Sequence, residues 1–263
     1  MAKSRSSQLT FGVWLLALAS VGVMGCGHAA AVPPLAVPER LSLEGESIYV
    51  GKVFPRDNAT PRPVFVYERR VASRGNGVVS SHVTRTPQGS VALAEEALHD
   101  TRYALSRYEL FTNQRGQHGS IRVQGDDVYF HLVEGTREQT AVEHHSDEPV
   151  LVGPTLVGYV VQHLPALRSG QRLGVRLAIL DRLETLGFEL ESVPAPSGET
   201  HVRMRPSSLL VRLAVNPVLF RFETASGKLL RLEGPVPTKL PTTAGLQDFD
   251  ARVEYRFVAS SYR

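Results

Sequence analysis

From Leu43 onward, apolar and polar residues alternate with period two, in short runs cut by Gly, Asn, Asp and Pro. The clearest run spans 172–180. Leu173, Val175, Leu177 and Ile179 share one face, and Arg172, Gly174, Arg176 and Ala178 share the other. Leu186, Phe188 and Leu190 alternate with Gly187, Glu189 and Glu191, and Val202 and Met204 with His201, Arg203 and Arg205. The same rhythm places Val218, Phe220, Phe222, Leu230, Leu232, Val253, Tyr255 and Phe257 inward. One apolar and one wet face per strand is the signature of an antiparallel sheet. The stretch 91–99 also reads as strand. Hairpin turns are expected at Gly75-Asn76-Gly77, Gly125-Asp126 and Ser226-Gly227, where Gly or Asn supplies positive φ. Ten to twelve strands are expected in all.

Helical signals are few. Pro154 suits a first turn, and Leu156, Val160 and Leu164 recur at four-residue spacing, so a helix is expected from Pro154 until Pro165 ends it. Its apolar residues surround much of its circumference, which suits a buried plug. A second short helix is expected over 207–214, capped by Ser207. The fold class is therefore mainly β: a single strongly curved antiparallel sheet or incomplete β-barrel, with one or two short helices on its concave side.

The amino end follows a different pattern. Lys3 and Arg5 precede an uncharged apolar run, 11–25, which is too short for a bilayer span of roughly 20 residues but sized for a signal peptide. It ends at Val23-Met24-Gly25-Cys26, and Cys26 is the chain's only cysteine. These residues resemble the lipobox of bacterial lipoproteins. The resemblance implies lipid attachment at Cys26, cleavage before it, and several acyl chains as the membrane anchor. An Ala/Pro-rich stretch follows, GHAAAVPPLAVPE over 27–39, with the character of an extended tether. The expected organisation is a signal peptide over 1–25, a lipidated Cys and tether over 26–42, and one β domain over 43–263. Gly27, rather than an Asp, follows the Cys; by the lipoprotein sorting rule this implies the outer membrane, facing the periplasm.

The second half carries a further likeness. The apolar helix near 156–167, the Gly170-Gln171-Arg172-Leu173 strand opening and the hairpin from Phe220-Arg221-Phe222 to Glu233-Gly234 resemble an uncharacterised group of all-β, barrel-like bacterial envelope proteins. At the level of fold alone, a curved sheet with helices in its mouth is similar to periplasmic carriers that shield lipoprotein acyl chains.

Charge alters the picture little. The chain of 263 residues has 29 Lys and Arg, 26 Asp and Glu, and a net charge of +3. Removing 1–25 takes away Lys3 and Arg5 and no acid, so the pI near 9.1 partly reflects the signal. No nucleic-acid partner is expected. The outward Arg and Glu side chains, Arg176 among them, read as a solvated face with cross-strand ion pairs. Glu143-His144-His145-Ser146-Asp147-Glu148 reads as a polar loop, because adjacent His residues on a strand diverge and no HExxH spacing is present. No Gly-x-Ser-x-Gly elbow or phosphate loop occurs. The expectation is a non-enzymatic envelope protein without metal or cofactor. Its role is binding or scaffolding; the alternatives are a carrier or chaperone for an apolar ligand such as lipid inside the sheet and, ranked last, an unrecognised hydrolase. Its partners are the membrane, through Cys26, and envelope proteins or lipid.

Cys26→Ser is expected to release the protein from the membrane fraction or leave it unprocessed. Normal membrane partition with the normal processed mass overturns the lipoprotein reading.

Overall fold

A computed structural model describes residues 41–43, 45–56, 62–144, 148–213 and 215–259. Cys26, the tether over 27–39 and His145 lie outside them. The strands are β1 (Glu46–Pro55), β2 (Phe65–Arg74), β3 (Gly77–Arg85), β4 (Val91–His99), β5 (Leu105–Thr112), β6 (Gln117–Gln124), β7 (Asp127–Glu134) and β8 (Arg137–His144). They continue with β9 (Val150–Leu151), β10 (Leu173–Ile179), β11 (Glu184–Val193), β12 (Glu199–Pro206), β13 (Val218–Glu223) and β14 (Leu229–Pro235). Last come β15 (Leu240–Thr242), β16 (Gly245–Gln247) and β17 (Asp250–Phe257). Helix α1 (Gly153–Arg168) lies between β9 and β10, and α2 (Leu209–Arg212) between β12 and β13; a 3-10 turn spans Leu180–Arg182.

Fifteen strands form one sheet in the order β8-β7-β6-β5-β4-β3-β2-β1-β17-β14-β13-β12-β11-β10-β9, and β15 pairs β16 in a separate hairpin. Neighbours are antiparallel except β9 and β10. This is the strongly curved, unclosed antiparallel sheet with two helices that the alternation implies. The strand count exceeds ten to twelve because β8, β9, β15 and β16 carry little period-two signal. β8 is polar at most positions, β9 has two residues, and β15 and β16 have three each.

The alternation sets the core. Val175, Leu190, Val202, Phe220 and Phe222 are fully buried against α1 residues Val160 and Leu167. Each such side chain contributes roughly 1.5–3 kcal/mol by leaving water. Leu230 is a correction: it is exposed, and Leu229 is buried instead. Phe222 pairs with Leu229 while Arg221 pairs with Arg231, so a β-bulge at Leu230 moves it to the outer face.

The helices also depart from expectation. Pro165 lies inside α1, which runs on to Arg168. In the last turn it removes one hydrogen bond without stopping the coil, and Ser169 N still donates to Pro165 O. α2 is shorter than expected at both ends, Leu209–Arg212, and its N-cap is Ser208 rather than Ser207, with no side-chain cap bond. Along α1, Gly158 meets the Tyr103 ring: a Cβ there would lie 2.3 Å from the phenol oxygen. This glycine lets the helix settle into the sheet. Among the described residues, no helix is long and apolar enough to cross a membrane.

The two ends of the sheet meet without a backbone ladder. Glu143 on β8 accepts from Arg176 Nη2 on β10 at 2.9 Å. It also accepts from the Thr185 amide at 2.5 Å and the Thr185 hydroxyl at 2.7 Å, both on β11. Glu143 is thus a strand residue joining two edges, not part of a solvated loop, and Arg176 is not a free outer-face cation. Leu180 of the 3-10 turn packs against Gly119 of β6 along the same seam, where a Cβ would lie 2.8 Å from its methyl.

The remaining outer charges pair across strands as expected: Arg203 with Glu191 at 2.6 Å, Arg205 with Glu189 at 2.7 Å, Arg221 with Glu233 at 2.9 Å. Such half-exposed pairs contribute little individually. On the outer face of β3 and β4, Glu96 accepts from Ser42 Oγ, Leu43 N and Ser81 Oγ. It pins the chain just ahead of β1, so Leu41 packs onto Ala94 and Phe111.

Two substitutions test this arrangement by denaturant melts. Val175→Asp buries an unpartnered carboxylate and is expected to cost several kcal/mol. Glu143→Ala removes the carboxylate that accepts from Arg176 Nη2 and from the Thr185 amide and hydroxyl, and is expected to cost about 1–3 kcal/mol. A wild-type midpoint for Glu143→Ala overturns the seam.

Candidate functional site: an apolar cavity with a polar end

The sheet and α1 do not fill the interior. A cavity of about 410 Å3 lies between them, lined by Leu110, Leu156, Val157, Phe188, Met204 and Phe220 among others. This is within the roughly 300–1,000 Å3 usual for small-molecule pockets. The lining reaches exposed residues at Asn216, Pro235 and Pro237, which define a mouth. Side chains tie the loops around it. Gln114 Nε2 donates to Lys239 O at 2.7 Å and its Oε1 accepts from Lys239 N at 2.9 Å. Arg115 pairs with Asp181, and both line the cavity.

At its buried part the cavity meets polar groups carried on strands. Register places Arg69 (β2) opposite His82 (β3), and His82 opposite Glu95 (β4), so the three form one transverse row. All three are buried. Tyr108 on β5 donates to Glu95 Oε1 at 2.6 Å. Glu95 Oε2 lies 3.7 Å from His82 Nδ1, too far for a hydrogen bond. The start of α1 covers the row. Gly153 sits against the Glu95 carboxylate, with its ideal Cβ position 3.1 Å from Oε1, and the positive helix end favours that charge. The Arg69 guanidinium turns to Ser80 Oγ and Pro154 O, each at 3.5 Å, and does not line the cavity.

Electrostatics follow from burial. Desolvation lowers the His82 pKa and keeps the imidazole neutral, despite the pull of Glu95. Desolvation raises Tyr67 and Tyr255, and burial together with Glu95 raises Tyr108, so these phenols stay protonated. Tyr67 stands edge-on to the His82 ring at 4.8 Å and to Tyr255 at 5.5 Å.

A second buried pair lies nearby. Ser80 Oγ is 2.9 Å from His99 Nε2, while His99 Nδ1 donates to Asp100 O at 2.7 Å. This resembles a nucleophile and its base. Ser80 is fully buried, neither residue lines the cavity, and Tyr103 stacks on the His99 ring at 4.9 Å. Nothing in the cavity reaches that serine. Among the described residues, no group of three or more His, Cys, Asp or Glu is placed to hold a metal. His144 instead pairs with Asp127 at 3.1 Å.

Of the aromatic residues expected inward, Phe188, Phe220 and Tyr255 line the cavity. Phe222 is packed core, and Phe257 stacks edge-on against Tyr49. The row Arg69–His82–Glu95 and its partner Tyr108 were missed by sequence reasoning. A signal exists: Glu95 occupies the inward register of β4, between Leu93 and Ala97.

No protein-family model and no curated protein matches the chain. Among solved structures it is similar to a beta-barrel-like protein of domain of unknown function DUF1849 from Brucella abortus. The identity is 8% and the TM-score 0.49, covering 81% of this chain and 99% of that one.

The buried imidazoles carry a pH signature. His82 and His99 are both held below the ordinary histidine value by burial. Below about pH 6.5 the unfolded chain therefore binds more protons than the folded one. Their contribution is complete above that pH and is lost as pH falls. The thermal midpoint is expected to drop between pH 7.5 and pH 5.5, and to drop less in His82→Gln. A flat midpoint across that window overturns the neutral assignment.

Proposed function

We propose that this chain is an envelope lipoprotein, anchored through Cys26, whose β domain carries an apolar ligand between the sheet and α1. The single observation that carries the reading is the 410 Å3 cavity with its mouth at Asn216, Pro235 and Pro237. A scaffold has no need of such a space, because a filled core is more stable than a hollow one by the lost contacts and cavity cost.

The mouth adds support. Leu209, Leu210 and Leu213 are exposed at 75%, 79% and 87%. They stand on and just after α2, immediately before Val215 and Asn216 of the cavity lining. Leucines at the rim of an apolar cavity offer a ligand a continuous apolar path from its donor. The membrane anchor rests on the lipobox pattern, and the outer-membrane, periplasm-facing location on Gly27. Binding is proposed rather than catalysis, with no cofactor.

Native mass spectrometry of the full chain, purified from its own host in a mild detergent, tests the carrier. A retained lipid-sized adduct is expected. In Val157→Phe, which adds a ring on the cavity-lining stretch of α1, occupancy is expected to fall at least about tenfold with the fold retained. An unliganded wild type, or equal occupancy in Val157→Phe, counts against carriage.

A further inference from the structure

The polar end of the cavity is built from particular hydrogen-bonding groups, and they discriminate among apolar ligands. We infer that the ligand carries an uncharged hydroxyl at its buried end, which donates to Glu95; carboxylates and phosphates are rejected there. This rests on the carrier reading and specifies its ligand class.

The Glu95 carboxylate is half used. Oε1 accepts from Tyr108, whereas Oε2 has His82 Nδ1 at 3.7 Å. A carboxylate oxygen facing a desolvated cavity has strong acceptor capacity and no donor of its own. His82 cannot supply a positive charge, because burial keeps it neutral. With Nδ1 turned to the carboxylate, its proton belongs on that nitrogen, since a lone pair there would face another. The row therefore offers acceptance, not charge neutralisation, to anything in the cavity.

Arg69 is the cation of the row. Its guanidinium is turned toward Ser80 and the Pro154 carbonyl, away from the lining. An anionic head beside Glu95 would thus meet a negative charge with Arg69 turned away, and the cation that does line the cavity, Arg115, is already paired with Asp181. A hydroxyl suits the same wall. It donates to Glu95 Oε2, and its oxygen can accept from the protonated phenols of Tyr67 or Tyr255, which also line the cavity. An ester or a bare alkane leaves Oε2 desolvated and unpaired, the situation that gives hydroxyl-reading sites their selectivity.

The test is competition inside the cavity. The full chain in a mild non-ionic detergent is photolabelled with a neutral diazirine-bearing long-chain alcohol. Labelled peptides containing Leu156, Phe188 and Met204 are quantified by mass spectrometry. Decan-1-ol, methyl decanoate and decanoate then compete. Decan-1-ol is expected to suppress labelling at about tenfold lower concentration than methyl decanoate, which is neutral but cannot donate, with decanoate weakest. In Glu95→Gln the penalty on decanoate is expected to shrink at least several-fold. If the alcohol probe does not label these peptides, the carrier reading itself fails. If labelling occurs and methyl decanoate or decanoate competes as well as the alcohol in the wild type, the hydroxyl inference fails alone. That comparison needs no variant, so a poorly folding Glu95→Gln does not protect the inference.

Discussion

A single curved sheet of fifteen strands encloses more volume than its own side chains can fill. That geometric surplus governs the interior. Helix α1 occupies part of it, buried along most of its length between the two halves of the sheet. What α1 leaves is the cavity. Its start, in turn, covers the row Arg69–His82–Glu95, which would otherwise stand on an open concave wall. Buried charges of that kind persist only with partners, and here Tyr108, Ser80 and the first turn of α1 provide them.

The same surplus width explains why the edges do not zip. β8 and the β9–β10 end come near each other, yet side chains rather than main-chain groups join them. Glu143 concentrates three polar contacts from Arg176 and Thr185 on one carboxylate. β8 itself is a poor template for another chain, with Arg137, Glu138 and Glu143 along eight residues. A charged edge protects against intermolecular pairing, and one of its charges also holds the open sheet in register with its far side.

The second half of the fold was legible in the alternation because its strands are amphipathic in the plain sense: Val175, Phe188, Val202 and Phe220 inward, Arg and Glu outward. The first half was harder to read. Its inward face includes Arg69, His82 and Glu95, and its outward face includes buried Val79, Val83 and Phe111. Period two marks which residues share a face, but it names the buried face only when polarity and burial coincide. At Glu95 they do not, because α1 arrives from far along the chain to cover it. Leu230 failed for a local reason, a bulge that shifts phase by one residue. The hollow interior lay beyond composition, since Phe188 and Phe220 look alike whether they touch each other or a void.

Strand β1 lies between β2 and β17, so the two halves of the sheet are joined through the first and last strands of the domain. The joint from Tyr49–Phe257 to Pro55–Ala251 spans about two hundred residues of intervening chain. Every other antiparallel partnership in the sheet is made between near neighbours in sequence, apart from β14 with β17. Folding can thus proceed hairpin by hairpin on either side, but the joint carries a large loop-closure entropy and belongs to the slow, high-contact-order class of events. Until Phe257 is available, β1 exposes one bare edge in the middle of the future sheet. The interior is consequently sealed only once β17 is available, and the half-built concave wall remains accessible throughout the earlier stages.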